Sequence, residues 1–242
     1  LEEGTEIDVL GRVATAMGNA AERAGVRLAT GDTKVVERGH GDGIYVNTAG
    51  IGLIPDGIDF TPDAMRPGDV VIVSGPIGMH GVAVLSVREG IEFGTRLESD
   101  TAPLHELVAR MMTAAPTSGI RVLRDLTRGG LGASLCELSS ASRLGIEFTE
   151  QDVPVPEPVR AACGFLGLDP LHVANEGKLV AVVSPDAADA VVEAMSELTV
   201  GVGARMIGMV TDDHPGAVIA RTGLGASRVV DLPLGEQLPR IC

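Results

Sequence analysis

Four features of this 242-residue chain, and one further glycine-rich turn, carry side chains that can do chemistry. The first is Gly31-Asp32-Thr33-Lys34, followed by Val35-Val36. A lysine on a glycine-containing turn can set its ammonium against phosphate oxygens or a carbonyl, and Asp32 can ligate magnesium or orient that lysine. The same residues also make an ordinary polar turn at a strand end. The second is Asp125-Leu126-Thr127-Arg128-Gly129-Gly130-Leu131-Gly132, where a strand feeds a helix. Free N–H groups at a helix start attract anions, glycines let a ligand come close, and Asp125 can hold Mg²⁺ that keeps waters and phosphate ligands. The competing reading is a tight turn in which Asp125 or Thr127 caps the helix.

The third is Asn175-Glu176-Gly177-Lys178, just before an apolar strand. Glu176 can act as a base or bind metal, and Asn175 can hydrogen-bond an amide; a plain polar turn would use the same residue types. A further glycine-rich turn, Gly75-Pro76-Ile77-Gly78-Met79-His80-Gly81, offers His80 as a general base, or as a helix-start histidine facing solvent or Ser74. The fourth is Cys242, on a tail with Pro233, Gly235 and Pro239 that cannot be a good helix. It is either an incidental thiol on a frayed end or a working one, with Arg240 favouring the thiolate and the terminal carboxylate opposing it.

These residues need a frame. Helical spacing runs from Asp8 to Ala24, with Gly25 to close it. A short strand is expected at Val26–Ala29, a turn at Gly31–Lys34 followed by Val35-Val36, a strand region at Ile44–Ile54 interrupted by Gly50 and Gly52, and a Pro/Gly break from Ile58 to Asp69. Strands at Val70–Ser74, Val122–Leu126, Leu179–Val183 and Met206–Val210 then alternate with helices at His80–Arg88, Leu104–Ala115, Leu131–Ser142 and Pro185–Ser196. Such alternation predicts an α/β protein with α+β layers.

Composition narrows the function. The net charge of -14 and the absence of basic clusters exclude a nucleic-acid binder. No apolar run reaches the roughly 20 residues that span a bilayer. Without a signal peptide or lipidation motif, a soluble, cytoplasmic protein is expected. Three cysteines with no C-x-x-C argue against a disulfide framework or a zinc site, and Cys136 and Cys163 read as small core residues.

Together with the closing Pro239-Arg240-Ile241-Cys242, these motifs resemble the HypE family of hydrogenase maturation proteins, within the superfamily of aminoimidazole ribonucleotide synthetase and selenophosphate synthetase. The resemblance implies a two-domain synthetase-like fold: an N-terminal domain that pairs with its copy in a homodimer, a C-terminal α/β domain, and ATP in the cleft between them. Residues 1–59 would be the remnant of the ATP-binding and dimerisation domain, 60–230 the α/β domain, and 231–242 a flexible tail carrying Cys242. The family's Asp-rich segment lies upstream of the position matching Leu1, so the N-terminal domain is expected to be incomplete and ATP binding weak.

The implied reaction starts with the carbamoyltransferase HypF, which loads a carbamoyl group onto the Cys242 sulfur. ATP-dependent dehydration then gives a thiocyanate, and the cyano group passes to iron on the HypC–HypD complex. By resemblance, Lys34 offsets charge on the transferring phosphoryl group, Glu176 removes a proton from the amide nitrogen and Asn175 orients it. Asp32, Thr33, Asp125, Thr127, Gly129 and Gly130 would bind the nucleotide, with Asp125 as the magnesium ligand. Two alternatives stand beside this: another ATP-dependent synthetase of the superfamily, for which Cys242 is dispensable, and a non-catalytic module that offers its tail to HypF or HypC–HypD.

Overall fold

Backbone pairing decides which apolar runs become strands, because each buried N–H and C=O needs a partner. The computed structural model describes residues 1–91 and 97–232; the tail bearing Cys242 lies outside them. Contacts group the chain into Leu1–Asp56 and the part from Gly57 onward.

The first unit holds one helix, α1 (Ile7–Arg23). Gly25 ends it in the left-handed conformation, at φ 66. Its N–H donates to the Glu22 carbonyl and that of Val26 to the Ala21 carbonyl, which is a Schellman closure. The expected strands did not form here. The only bridge among the described residues of this unit joins Glu2 to Val36 in parallel. Val26, Leu28, Tyr45, Val46, Ile51, Leu53 and Ile54 remain exposed. Strand propensity is a preference for a half-buried pleated surface, and these runs have no neighbour to supply one.

The second unit begins with β1 (Val70–Val73), α2 (Met79–Glu89), α3 (His105–Ala114), β2 (Ile120–Asp125), α4 (Gly130–Ser142) and β3 (Gly145–Thr149). It continues with α5 (Glu157–Leu166), β4 (Leu179–Val183), α6 (Pro185–Ser196), β5 (Arg205–Thr211), β6 (Val218–Arg221) and β7 (Ser227–Val230). The strands form one seven-stranded sheet in the order β2-β4-β1-β5-β3-β6-β7. Among the described residues of this sheet only β3 and β6 pair in parallel; the other neighbours are antiparallel.

The period of two sorts the strand residues onto two faces. Val71, Val73, Val122, Val180 and Val182 pack with Leu131, Leu135 and Leu138 of α4. Ile72, Ile120, Leu179, Ala181 and Val183 pack with Leu107 and Met111 of α3 and Val191 and Met195 of α6. A third cluster joins Val82 of α2 to Val159, Ala162 and Cys163 of α5. The register of β2 shifts between Ile120 and Val122. Between them, Arg121 turns its guanidinium to the buried Asp69 carboxylate at 3.2 Å. Strands β3, β6 and β7 are four or five residues long and carry weak alternation, so they were not expected from the sequence. Nor was α5, which starts after Pro156 and takes Pro158 into its first turn.

No helix among the described residues is long and apolar enough to cross a membrane. Leu107 is fully buried between the sheet and α6. Leu107→Ala should therefore lower the unfolding free energy by about 3 kcal/mol in urea denaturation. Val229→Ala, on an exposed site, should change it by no more than about 0.5 kcal/mol.

Candidate active site

Antiparallel pairing of β4 with both β1 and β2 brings three chain segments to one end of the sheet. Val73 lies opposite Val180, and Asp125 opposite Leu179. The turn after β1, the turn after β2 and the segment before β4 therefore meet, and these are three of the segments singled out by residue type. The pairing runs one step past the strands, with the Leu126 N–H on the Lys178 carbonyl at 3.1 Å and the Leu179 N–H on Ser74 Oγ at 3.0 Å.

Asn175 ties them together. Its side chain is fully buried. Nδ2 donates to the carbonyls of Leu126 at 3.2 Å and Val173 at 3.0 Å, while Oδ1 accepts the Gly78 N–H at 2.6 Å. Its own N–H also donates to the Leu126 carbonyl, at 3.0 Å. Both side-chain N–H donors are thus engaged by the backbone, which gives Asn175 the work of holding the turns.

At the end of β2, Asp125 is half-exposed and faces Arg124 at 3.2 Å. The Thr127 hydroxyl donates to its Oδ2 at 2.5 Å. Burial works to raise the Asp125 pKa, but the Thr127 hydroxyl, the Arg124 charge and the backbone N–H groups of Asp125 and Thr127 outweigh it. The carboxyl sits below its ordinary value and is ionised at neutral pH. The cap position of α4 is Gly129, which has no side chain to bond with, so neither Asp125 nor Thr127 occupies it. Gly129 and Gly130 both adopt positive φ, 70 and 61. A Cβ on Gly130 would come within 2.6 Å of the Leu171 and Val173 carbonyls. The glycine pair lets the backbone turn into α4 directly against the loop that leads to Asn175.

No cluster of three or more His, Cys, Asp or Glu among the described residues could hold a metal ion. One ionised carboxylate beside a hydroxyl suits a magnesium ion that keeps its waters and arrives with phosphates, and does not suit an all-protein cage.

Glu176 is half-buried, and its Oε1 is shielded from solvent without a hydrogen-bond partner. Its N–H donates to Asp100 Oδ1 at 3.0 Å. Lys178 donates to the Val200 carbonyl at 2.8 Å. Burial pushes its ammonium below the ordinary pKa, against the opposing pull of Asp100. His80 faces neither solvent alone nor Ser74: its Nδ1 pairs with Ser99 Oγ at 2.8 Å, and its Nε2 is buried without a partner. Sequence reasoning missed Ser99 and Asp100, which lie in a loop without a motif. Their contacts with Glu176 and His80 span 76 and 19 residues.

Asp32, Thr33 and Lys34 belong to the first unit and are exposed. The Thr33 N–H donates to Asp32 Oδ1 at 2.8 Å, and the Lys34 carbonyl accepts from the Leu1 amino group at 2.8 Å. The Lys34 ammonium is thus placed in solvent on a backbone fixed at Val36 by the bridge to Glu2.

Burial pushes the Cys136 thiol up to about 11, helped by Asp231 and Glu137, and the Cys163 thiol up to about 11, helped by Asp169. Iodoacetamide at pH 8 should therefore leave both unmodified in the folded chain and alkylate them only on unfolding, as read by peptide mass spectrometry. Asn175→Ala strands the buried Gly78 N–H and the Val173 carbonyl, while the Leu126 carbonyl keeps the Asn175 backbone N–H. It should cost about 2–3 kcal/mol in denaturant unfolding.

The model for the AIR synthase related protein C-terminal domain matches residues 66–221. The carbamoyl dehydratase HypE of Rhizobium leguminosarum bv. viciae is 54% identical over 242 residues, covering 100% of this chain and 69% of that protein. A solved HypE–HypF complex contains a chain that superposes with a TM-score of 0.91 at 45% identity, covering 96% of this chain and 75% of that one. A HypE structure in complex with ATP superposes with a TM-score of 0.87 at 40% identity, covering 100% of this chain and 73% of that one. With more than half of its residues identical to such a relative along its whole length, this chain belongs to the HypE family of carbamoyl dehydratases.

Proposed function

We propose that the chain dehydrates a carbamoyl group carried on the Cys242 sulfur to a thiocyanate at the expense of ATP, and so supplies cyanide ligands for [NiFe] hydrogenase maturation. The observation that carries this reading is the meeting of the Asp125 turn, the glycine turn after β1 and the Asn175–Lys178 segment at one sheet end, with Glu176 Oε1 held out of solvent and unpartnered. A shielded carboxylate oxygen without a protein partner is a group available to a proton on a substrate. The relatives' names and the ATP-bound HypE structure support the chemistry.

An amide oxygen is a poor leaving group. ATP supplies the phosphoryl group that lets this oxygen depart as phosphate while the C–O bond breaks. The amide nitrogen loses two protons as the C≡N bond forms, and the C–S bond to Cys242 is retained. Glu176 accepts one proton from the nitrogen, and the departing phosphate takes the other. Asp125, with Thr127 beside it, would hold Mg²⁺, and the start of α4 would offer its positive end to the phosphates. Lys34 offsets negative charge on the transferring group, with Asp32 and Thr33 shaping its turn; this rests on the match of Gly31–Val36 to the family motif. Asn175 acts through the turns it holds. Cys242 carries the substrate, and its assignment rests on the resemblance of Pro239–Cys242 and on an alignment that spans all 242 residues.

The reading places the chain in the cytoplasm as a homodimer, loaded by HypF and discharging to HypC–HypD. The HypE–HypF complex supports the first of these contacts.

Intact-mass spectrometry after incubation with HypF, carbamoyl donor and ATP tests the scheme. Glu176→Gln and Lys34→Ala should accept the carbamoyl group but lose water at least about 10²-fold more slowly than the parent. Cys242→Ala should take up no group at all. Normal thiocyanate formation in either of the first two removes that residue from the mechanism, and a stoichiometric adduct on Cys136 or Cys163 in the third refutes the carrier.

A further inference from the structure

Glu176 is anchored by a residue that no motif marks. Asp100, in the loop before α3, accepts the Glu176 backbone N–H on Oδ1 at 3.0 Å. Its backbone carbonyl lies so close to Gly177 that a Cβ there would come within 1.9 Å of it. Its charge also acts on Lys178. One residue thus engages three consecutive residues of the motif. The loop is itself pinned. Ser99 Oγ meets His80 Nδ1 at 2.8 Å and Thr101 Oγ1 at 2.6 Å, and it accepts the Thr101 N–H at 3.1 Å. The second oxygen of Asp100, Oδ2, is shielded from solvent and has no partner.

We propose that Asp100 is a positioning residue for Glu176, whose carboxylate fixes the Glu176 peptide so that the Glu176 side chain leaves it in one direction. The inference rests on the reading of Glu176 as the proton acceptor. A hydrogen bond from an amide to a carboxylate is about twice as strong as a neutral one. A base displaced by about 1 Å loses on the order of 10² in rate. Asp100 touches no reacting atom in this account. It acts through the backbone, and a neutral side chain with an acceptor oxygen in the same place should largely replace it.

The test uses the full chain with Asp100→Ala, Asp100→Asn and Glu176→Gln. Each is loaded with the carbamoyl group and followed through a single turnover by intact mass. Backbone hydrogen exchange at the Glu176 amide is measured alongside. Asp100→Ala should be loaded as the parent is, dehydrate at least about tenfold more slowly at saturating ATP, and exchange the Glu176 amide faster. Asp100→Asn should dehydrate within about threefold of the parent and keep the amide protected. Parent-like dehydration by Asp100→Ala while Glu176→Gln is inactive would overturn the proposal. So would equal slowing in Asp100→Ala and Asp100→Asn. If Asp100→Ala does not fold, Asp100→Asn decides alone: a loss as large as that of Glu176→Gln overturns the proposal. Parent-like dehydration by Glu176→Gln would instead sink the reading of Glu176, and with it the catalytic half of this inference. Amide exchange would then still decide whether Asp100 holds the peptide, with unchanged exchange in Asp100→Ala counting against it.

Discussion

The fully buried side-chain amide of Asn175 makes three hydrogen bonds, and the arrangement of the site follows from them. A buried amide left unpaired costs several kcal/mol, so its surroundings must supply a donor and two acceptors in fixed directions. Here they are the Gly78 N–H and the Leu126 and Val173 carbonyls. Each sits on a different segment, and each segment leads to residues with chemical potential: the glycine turn and His80, the Asp125–Thr127 pair, and Glu176 itself. Shifting any one of them by an ångström breaks a bond to the same side chain. The site is therefore positioned by a network that is satisfied or lost as a unit.

That network stands on the sheet. Because β4 runs antiparallel to both β1 and β2, the exits of two strands and the entry of a third lie at the same end. The sheet is covered there on both faces, by α4 on one side and by α3 and α6 on the other. Dry walls on both sides strengthen the hydrogen bonds at the strand ends and make an unpaired atom stand out. Glu176 Oε1, Asp100 Oδ2 and His80 Nε2 stand out in that way.

Close approach is the second requirement. Gly81 lies where a Cβ would meet Val173 Cγ1 at 2.5 Å, and Gly177 faces the Asp100 carbonyl even more tightly. These contacts tie the start of α2 and the segment before β4 to their neighbours with no side chain between them. The charge pattern fits the same design. Asp125 is kept ionised at the open end of β2, whereas Lys178 is drawn into the protein and destabilised as a cation.

Much of this was legible in the residues alone. The runs Val70–Val73, Leu179–Val183 and Pro185–Ser196 read correctly because apolar period and length speak for themselves when both faces or one helix stripe are buried. The Asp125 and Asn175 segments were recognisable by residue type and by their places at strand ends. The family could be read from them as well. Other features depend on which segments lie side by side, and a sequence does not carry that. Val26–Ala29 and Ile44–Ile54 have strand composition but no neighbour to pair with among the described residues of their unit. β3 and β6 become strands because each finds a partner across 72 residues, Ile146 against Val218. Asn175 looked like a group for the substrate until its neighbours claimed its donors. Asp100 looked like loop until the fold laid it on Glu176. Residue type limits what a side chain can bond to, but the choice among partners is made by long-range pairing and burial, which exist only once the chain has folded.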